Sequence, residues 1–304
     1  MAFVTFLNEL SFPSGQLNAH DAVAVVVGLV KTLRALKVIH ADTALHSSVS
    51  LPNIPLGEGL WLGPVMSAGE ARDEWRYIRS IQNRSPFTAG LVNPVGGETE
   101  YQHGGVTAAA LGLSHALGTL AVSFPTEGWL HATINVQRLH LDAKGKIDED
   151  TVSVVHVAVP EHIATNEEWI RSAWIAKVAD GDELWQRRAE LFPHLKFRPD
   201  VEAQLQVLKP GDVLLASVGT ALMDIELALS TWRPSDEKYP AFKTRVSPEG
   251  ETRSRMFRWK DLDGVERDFD LHSRYTPGAG RVHFWCDRRD GTATVGHVGE
   301  KLPD

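Results

Sequence analysis

Cysteine is almost missing from this chain of 304 residues, which carries one, Cys286. That excludes an internal disulfide framework and a cysteine-built zinc site. No apolar run reaches the roughly 18 residues that a membrane span needs. The opening MAFVTFLNELSF lacks the basic n-region and the long apolar stretch of a secretory signal. The expectation is a cytoplasmic protein with no membrane partner. The motif G-x-x-x-x-G-K-[ST] is absent, and so are H-E-x-x-H and the G-x-S-x-G elbow. Gly96-Gly97 and Gly104-Gly105 lack the strand–glycine–helix setting of a dinucleotide fingerprint. No cofactor and no metal are expected. There is no internal repeat and no low-complexity segment.

What is present reads as an ordinary globular chain. Hydrophobic residues make up 43% and charged residues 23%, which excludes disordered and fibrous classes. The length suits about two domains. The net charge of −8 is uneven. From Trp232 onward ten Arg and four Lys meet thirteen acids, so this quarter is rich in arginine on an otherwise acidic chain. That balance points weakly to a polyanion-facing tail.

Apolar spacing predicts a helix over Ala22–Leu36, capped by Asn18 or Asp21, and a loop over Asp42–Leu62. A second helix is expected over Glu70–Gln82, ending before Pro86. Ala108–Leu117 reads as a small-residue helix and Leu120–Phe124 as a buried strand. Trp129–Leu141 and Thr151–Val159 alternate with period two and form an expected antiparallel hairpin. Glu167–Arg188 contains a helix. Phe192–Pro199 is a short strand, followed by helices over Asp200–Leu208 and Gly211–Ser230. Strands are then expected over Thr252–Lys260, Arg267–Tyr275, Gly280–Cys286 and Ala293–Val298. Their turns are Asp263-Gly264, Pro277-Gly278 and Asp290-Gly291. The fold class is α+β: a mixed domain over 1–190 and a smaller one over 191–304 with a four-stranded antiparallel sheet. Trp169, Trp174 and Trp185 read mainly as packing residues, less so as a stacking platform for bases.

Arginine and histidine carry the candidate chemistry. Period two puts Asp270, His272 and Arg274 on one strand face, and Arg281 and His283 on one face of the next. Arg274 and Arg281 flank a turn and should meet across the hairpin. Arg253 and Arg255 share a face of their strand. Guanidinium groups grip phosphate in bidentate fashion, and a histidine moves protons near neutral pH. Against this stands a plainer reading, a sheet face laced with ion pairs to Glu251, Glu266, Asp268 and Asp270. A metal held by His272, His283 and His297 is disfavoured by the neighbouring arginines.

The stretch His272, Arg274, Tyr275, Pro277, Gly278, Gly280, Arg281-Val282-His283-Phe284-Trp285, with Val295-Gly296-His297-Val298-Gly299-Glu300-Lys301-Leu302, resembles the closing strands of the RelE/HigB/ParE toxin superfamily. The order of short strand, helix pair and meander over about residues 192–302 is similar to that small fold. The resemblance implies a metal-independent endoribonuclease that cleaves mRNA, with RNA or the ribosome as partner and an antitoxin as its restraint. By matching position, Arg281 would stabilise the phosphorane charge and Arg274 would bind phosphate. His283 would act as general acid or base, and His297 and Lys301 match the final strand's polar positions. Arg253, Arg255 and His272 would extend the RNA-binding face. The ParE branch lacks nuclease activity, so the fold alone does not decide the chemistry. The alternative is a non-catalytic subunit of a defence or toxin–antitoxin complex that binds protein or nucleic acid.

The N-terminal segments Phe6–Ser11, Trp75–Phe87 and Gly112–Ser123 resemble an uncharacterised bacterial family linked to phage defence, to which no fold or activity attaches. Asn8, Glu9, Arg79, Arg84 and Pro86 are its candidate interaction residues. The competing reading makes Asn8–Ser11 a loop or cap, and Arg79 and Arg84 a helix face and its end.

Overall fold

Ala2–Leu7 forms a strand (β1) whose Phe3, Phe6 and Leu7 are completely buried. In this computed structural model the described residues are 2–68, 71–81, 85–87, 99–141, 146–173, 178–242, 246–275 and 280–302. Arg84, Trp174 and the Pro277-Gly278 turn lie outside them. The chain divides into two compact units, Met1–Lys177 and Val178–Asp304, and both mix helices with sheet in the α+β manner expected.

In the first unit β1 leads to helix α1 (Ala19–Ile39). Asn18 caps it by accepting from the Asp21 backbone N–H at 2.9 Å, a contact worth about 1 kcal/mol. Ala22, Val26, Leu29, Val30, Leu33 and Leu36 are its buried stripe. The chain continues through β2 (Asp42–Ser47), α2 (Leu62–Ala68), α3 (Arg72–Ile81), β3 (Thr99–His103), β4 (Val106–Thr107), α4 (Ala109–Ala116) and β5 (Leu120–Val122). It closes with β6 (Thr133–Leu141), β7 (Ile147–Val157), α5 (Pro160–Thr165) and α6 (Glu167–Ser172). The seven-stranded sheet runs β2-β1-β5-β7-β6-β3-β4. The pairs β1–β2, β1–β5 and β5–β7 are parallel, and the rest are antiparallel.

The expected loop at Asp42 is corrected here, because Asp42–Ser47 is a parallel edge strand. Five of its six residues are buried, so it shows no alternation, as is usual for strands covered on both faces. The predicted β6–β7 hairpin forms with the expected antiparallel sense.

The second unit comprises α7 (Gly181–Gln186), α8 (Arg188–Leu191), β8 (Leu195–Phe197), α9 (Asp200–Gln206), α10 (Val213–Thr231), β9 (Val246–Pro248), α11 (Glu251–Ser254), β10 (Arg258–Lys260), β11 (Glu266–Asp268), β12 (Leu271–Tyr275), β13 (Gly280–Asp287) and β14 (Thr292–Glu300). Its main sheet has five strands in the order β8-β14-β13-β12-β9, with β8 parallel to β14. Helix α10 is long and apolar enough to cross a membrane but is mostly buried inside the unit. Its Val218, Leu222, Ile225 and Leu229 pack on Leu271, Val282, Phe284 and Val295 in one core. Burial of each such side chain contributes about 1.5–3 kcal/mol.

The four-stranded meander is therefore corrected. Strands β8 and β9 join the sheet, and the expected strand over Thr252–Lys260 does not. Glu251–Ser254 is a helical turn and Arg255–Phe257 a 3-10 turn, leaving only Arg258–Lys260 extended. The apolar residues there, Met256 and Phe257, are adjacent rather than alternating. The chain turns to bury Phe257 completely and leaves Met256 exposed. Strand β10 pairs with β11 in a separate hairpin, in which Arg258 and Asp268 face each other. The Asp263-Gly264 turn that closes it has Gly264 at φ 79°, a value that favours glycine.

Candidate functional site

Pleating gives the five-stranded sheet two unlike faces. Leu271, Val282, Phe284 and Val295 face α10. The alternate residues His272 and Arg274 on β12 and Arg281 and His283 on β13 fall on the other face, as period two predicts. His272 is opposite His283, and Arg274 is opposite Arg281.

This second face is covered. Phe257 stacks on the His283 ring at 4.1 Å and 14°. At His283/Phe284 the register of β13 with β14 shifts by a bulge, which places Gly296 beneath Trp259 and Phe269. A Cβ at Gly296 would come within 2.6 Å of Phe269 and 2.8 Å of Trp259. Glycine is thus required for the aromatic cover to seat. Bulges of this kind re-aim side chains locally.

Beside that cover the charges converge on Glu249, between β9 and α11. Arg281 forms an ion pair with its Oε1, and Arg253 Nε lies 3.7 Å from Oε2. His272 Nδ1 is 3.4 Å from Oε1. Arg253 also donates to the Leu302 carbonyl at 2.9 Å. On its other side His272 Nε2 meets Ser247 Oγ at 3.4 Å. The rings of His272 and His283 are 5.4 Å apart, and those of His283 and His297 6.1 Å. One ligand atom each from Glu249, His272 and His283 lie within 4.8 Å of one another. No hydrogen bond of good geometry reaches Nδ1 of His272 or of His283.

Burial sets the protonation. His283 is 1% exposed and His272 3%. Desolvation, reinforced by His272, His297 and Arg281, pushes the His283 pKa down to about 3. Desolvation with Arg281 and Arg274 brings that of His272 to about 4. Both rings are neutral at pH 7. Burial also holds the Arg281 guanidinium below its ordinary range, with Glu249 opposing. His297 is half-buried. Its Nδ1 accepts from Gln204 Nε2 at 3.1 Å and its Nε2 lies 3.3 Å from the Glu300 carbonyl, so it too is a fixed neutral tautomer with a pKa lowered by burial.

The structure therefore brings Arg253, Arg274, Arg281, His272 and His283 to one place, with His297 at its margin. Arg255 is an exposed residue of the 3-10 turn, and Lys301 is exposed beyond β14. The expected shared strand face of Arg253 and Arg255 is corrected, since neither stands on a strand. The RNA-facing histidine that the resemblance implies is not open, because Phe257 stacks on His283 and Trp259 stands edge-on to it. Part of the ion-pair reading holds for the hairpin, where Arg258 grips Asp268 at 2.8 and 3.1 Å. Sequence reading did not single out Glu249. It follows Pro248 at the end of a three-residue strand, and no motif marks it.

The first unit holds a second buried constellation that sequence reading missed. At the carboxyl ends of β1, β5 and β7 stand Asn8, Ser123 and His156. This is also where the sheet order reverses, β1 having β2 on one side and β5 on the other. His156 Nδ1 lies 2.6 Å from the His131 carbonyl, which can only accept, so Nδ1 carries the proton. Burial brings the ring's pKa down to about 4. Nε2 therefore accepts from the Ser123 hydroxyl at 2.6 Å. Asn8 Nδ2 donates to Ser123 Oγ at 3.0 Å, while Asn8 Oδ1 caps the Glu9–Ser11 turn. All three residues are 0% exposed, which suits a brace rather than a nucleophile. The neighbouring Glu9 accepts from the backbone N–H groups of Ala109 at 2.5 Å and Ala110 at 3.1 Å, capping α4. Arg79 is exposed on α3, its guanidinium 5.8 Å from the Trp75 ring. Pro86 follows a cis peptide bond.

Comparison of the chain with family models, with curated proteins and with solved structures gives no match. Class and function thus rest on the geometry: a two-unit α+β protein whose described residues include a buried arginine–histidine–glutamate cluster and a buried serine–histidine brace.

Proposed function

We propose that the C-terminal unit is a nucleic-acid-binding module that grips the phosphate backbone of RNA through Arg281 and Arg253, with Arg274 beside them. The observation that carries this reading is that guanidinium groups from two elements, β13 and α11, already share one carboxylate, Glu249. A phosphate offers a similar set of oxygens to the same fork geometry. The exposed Lys301 adjoins Leu302, whose carbonyl Arg253 holds, and so adds a cation at the margin. The depth of His272 and His283 favours binding over proton transfer to RNA. A defence-complex or antitoxin-like polypeptide would engage the same guanidiniums by presenting carboxylates as Glu249 does.

The test is equilibrium binding of single-stranded RNA across a salt series, with cleavage assayed in parallel on translated mRNA. Three phosphate contacts predict a slope of log K against log salt of about −2. Arg281→Ala should weaken binding and flatten that slope by about 0.7, with no cleavage by either chain. Salt-independent or absent RNA binding would remove the reading. Cleavage that Arg281→Ala abolishes would replace it with the toxin-like endoribonuclease that the RelE resemblance implies.

A further inference from the structure

Three features compete for attention outside that reading. The Ser123–His156 pair has the spacing of an activated nucleophile, but its hydrogen bonds are complete and its surface is closed. The Arg267 guanidinium over Trp285 is held by Asp263 and Asp261, so it is an internal pair. The third feature is different, because it holds two buried ring nitrogens without a hydrogen bond.

His272 and His283 are both more than nine-tenths buried, and each leaves Nδ1 without a hydrogen bond. A buried polar atom in that state is costly, and native structures rarely keep one without a reason. Here there are two, and a carboxylate stands beside them. We propose that the imidazoles of His272 and His283 and a Glu249 oxygen form a buried site for one divalent transition-metal ion of zinc type.

The donor chemistry fits. Two imidazole nitrogens and one carboxylate suit borderline ions such as zinc and iron(II) rather than calcium. Ligand atoms set tetrahedrally about zinc lie about 3.4 Å apart. One ligand atom from each of the three residues lies within 4.8 Å of the other two, so the side chains must close on one another for all three to meet one ion. The rings are already held as ligating histidines are by their outer partners: His272 Nε2 faces Ser247 Oγ and the His283 ring bonds the Phe269 backbone. Arg281 shares Glu249 with the ion. A carboxylate has lone pairs for both partners, but the guanidinium charge opposes the cation and keeps the site weaker than a structural zinc centre. The site stands whether or not RNA binds. A phosphate that drew Arg281 away from Glu249 would strengthen it.

The experiment is a zinc titration of the full chelator-stripped chain against a chromogenic chelator, repeated with cobalt for its absorption spectrum. One ion per chain is expected. His272→Gln and His283→Gln should each weaken binding by at least about tenfold and change the cobalt spectrum, with near-UV circular dichroism confirming that both chains fold. Arg281→Gln should keep zinc or bind it more tightly while losing RNA affinity, which separates this site from the RNA reading. No zinc binding by the wild-type chain, an unaltered affinity in both histidine variants, or loss of zinc in a folded Arg281→Gln chain would overturn the proposal.

Discussion

The two units each bury histidine, and they treat it in opposite ways. His156 in the first unit has a partner at each ring nitrogen, at 2.6 Å on both sides. It ties the ends of three strands together, and nothing in the network lacks a partner that a ligand would supply. His272 and His283 in the second unit are as deeply buried, yet each keeps an Nδ1 with no hydrogen bond. Burial and a depressed pKa are common to both places and so do not tell function from support. Completeness of hydrogen bonding does, because a structural network gains by closing and a binding site must stay open for its ligand.

The sharpest way to break the comparison is to remove a member of the closed network. Ser123→Ala strands Asn8 Nδ2 and His156 Nε2 in a dry interior. The expected loss is about 1–3 kcal/mol for each stranded group, measured by urea unfolding. A change under about half a kcal/mol would show that the brace is slack. Gly296→Ala comes next. Its Cβ must push Trp259 and Phe269 off the sheet, at an expected 1–3 kcal/mol for overpacking, roughly the range seen in filled cores. A tolerated alanine would mean that the aromatic cover is loose.

Acid sharpens the contrast further. His156, His272 and His283 sit at about 4, 4 and 3 in the folded chain, against an ordinary value of 6.5. The unfolded chain therefore takes up protons below pH 6.5 that the folded chain refuses. Stability is fully present above pH 6.5 and falls as pH drops toward 4. Each group contributes a slope of up to about 1.4 kcal/mol per pH unit. His283→Phe should remove one such share, seen as a shallower fall of unfolding free energy between pH 6 and pH 4. An unchanged slope would mean that His283 is charged or exposed. The smallest effect is the stability of that same variant at pH 7. Phe keeps the stack on Phe257 and gives up the ring's one bond to the Phe269 backbone, so the loss should stay within about 1.5 kcal/mol. A loss as large as that of Ser123→Ala would erase the distinction between the two units.

Much of the frame was legible in the sequence. Asn18 and the stripe from Val26 to Leu36 announced α1, and alternation announced β6 and β7, while the expected strand Arg267–Tyr275 breaks at Phe269 and Asp270 into β11 and β12. The same period of two placed His272, Arg274, Arg281 and His283 on one face. Three things were not legible. Asp42–Ser47 hides its strand because burial on both faces removes the alternation. Thr252–Lys260 alternates in charge, but its adjacent Met256 and Phe257 bend the chain into turns, and those turns carry the aromatic cover that closes the face. Glu249 and the Asn8–Ser123–His156 set depend on contacts between residues far apart in the chain, which no local pattern records.

The central claim is that the unsatisfied histidines of the second unit await a ligand and the satisfied one of the first unit does not. Thermal unfolding with and without zinc, in wild type, His283→Gln and His156→Gln, tests it most directly. The account predicts that zinc raises the midpoint of wild type and His156→Gln alike, by the stabilisation that a ligand of the folded state confers, and leaves His283→Gln unmoved. An equal rise in His283→Gln, or none in wild type, would contradict it.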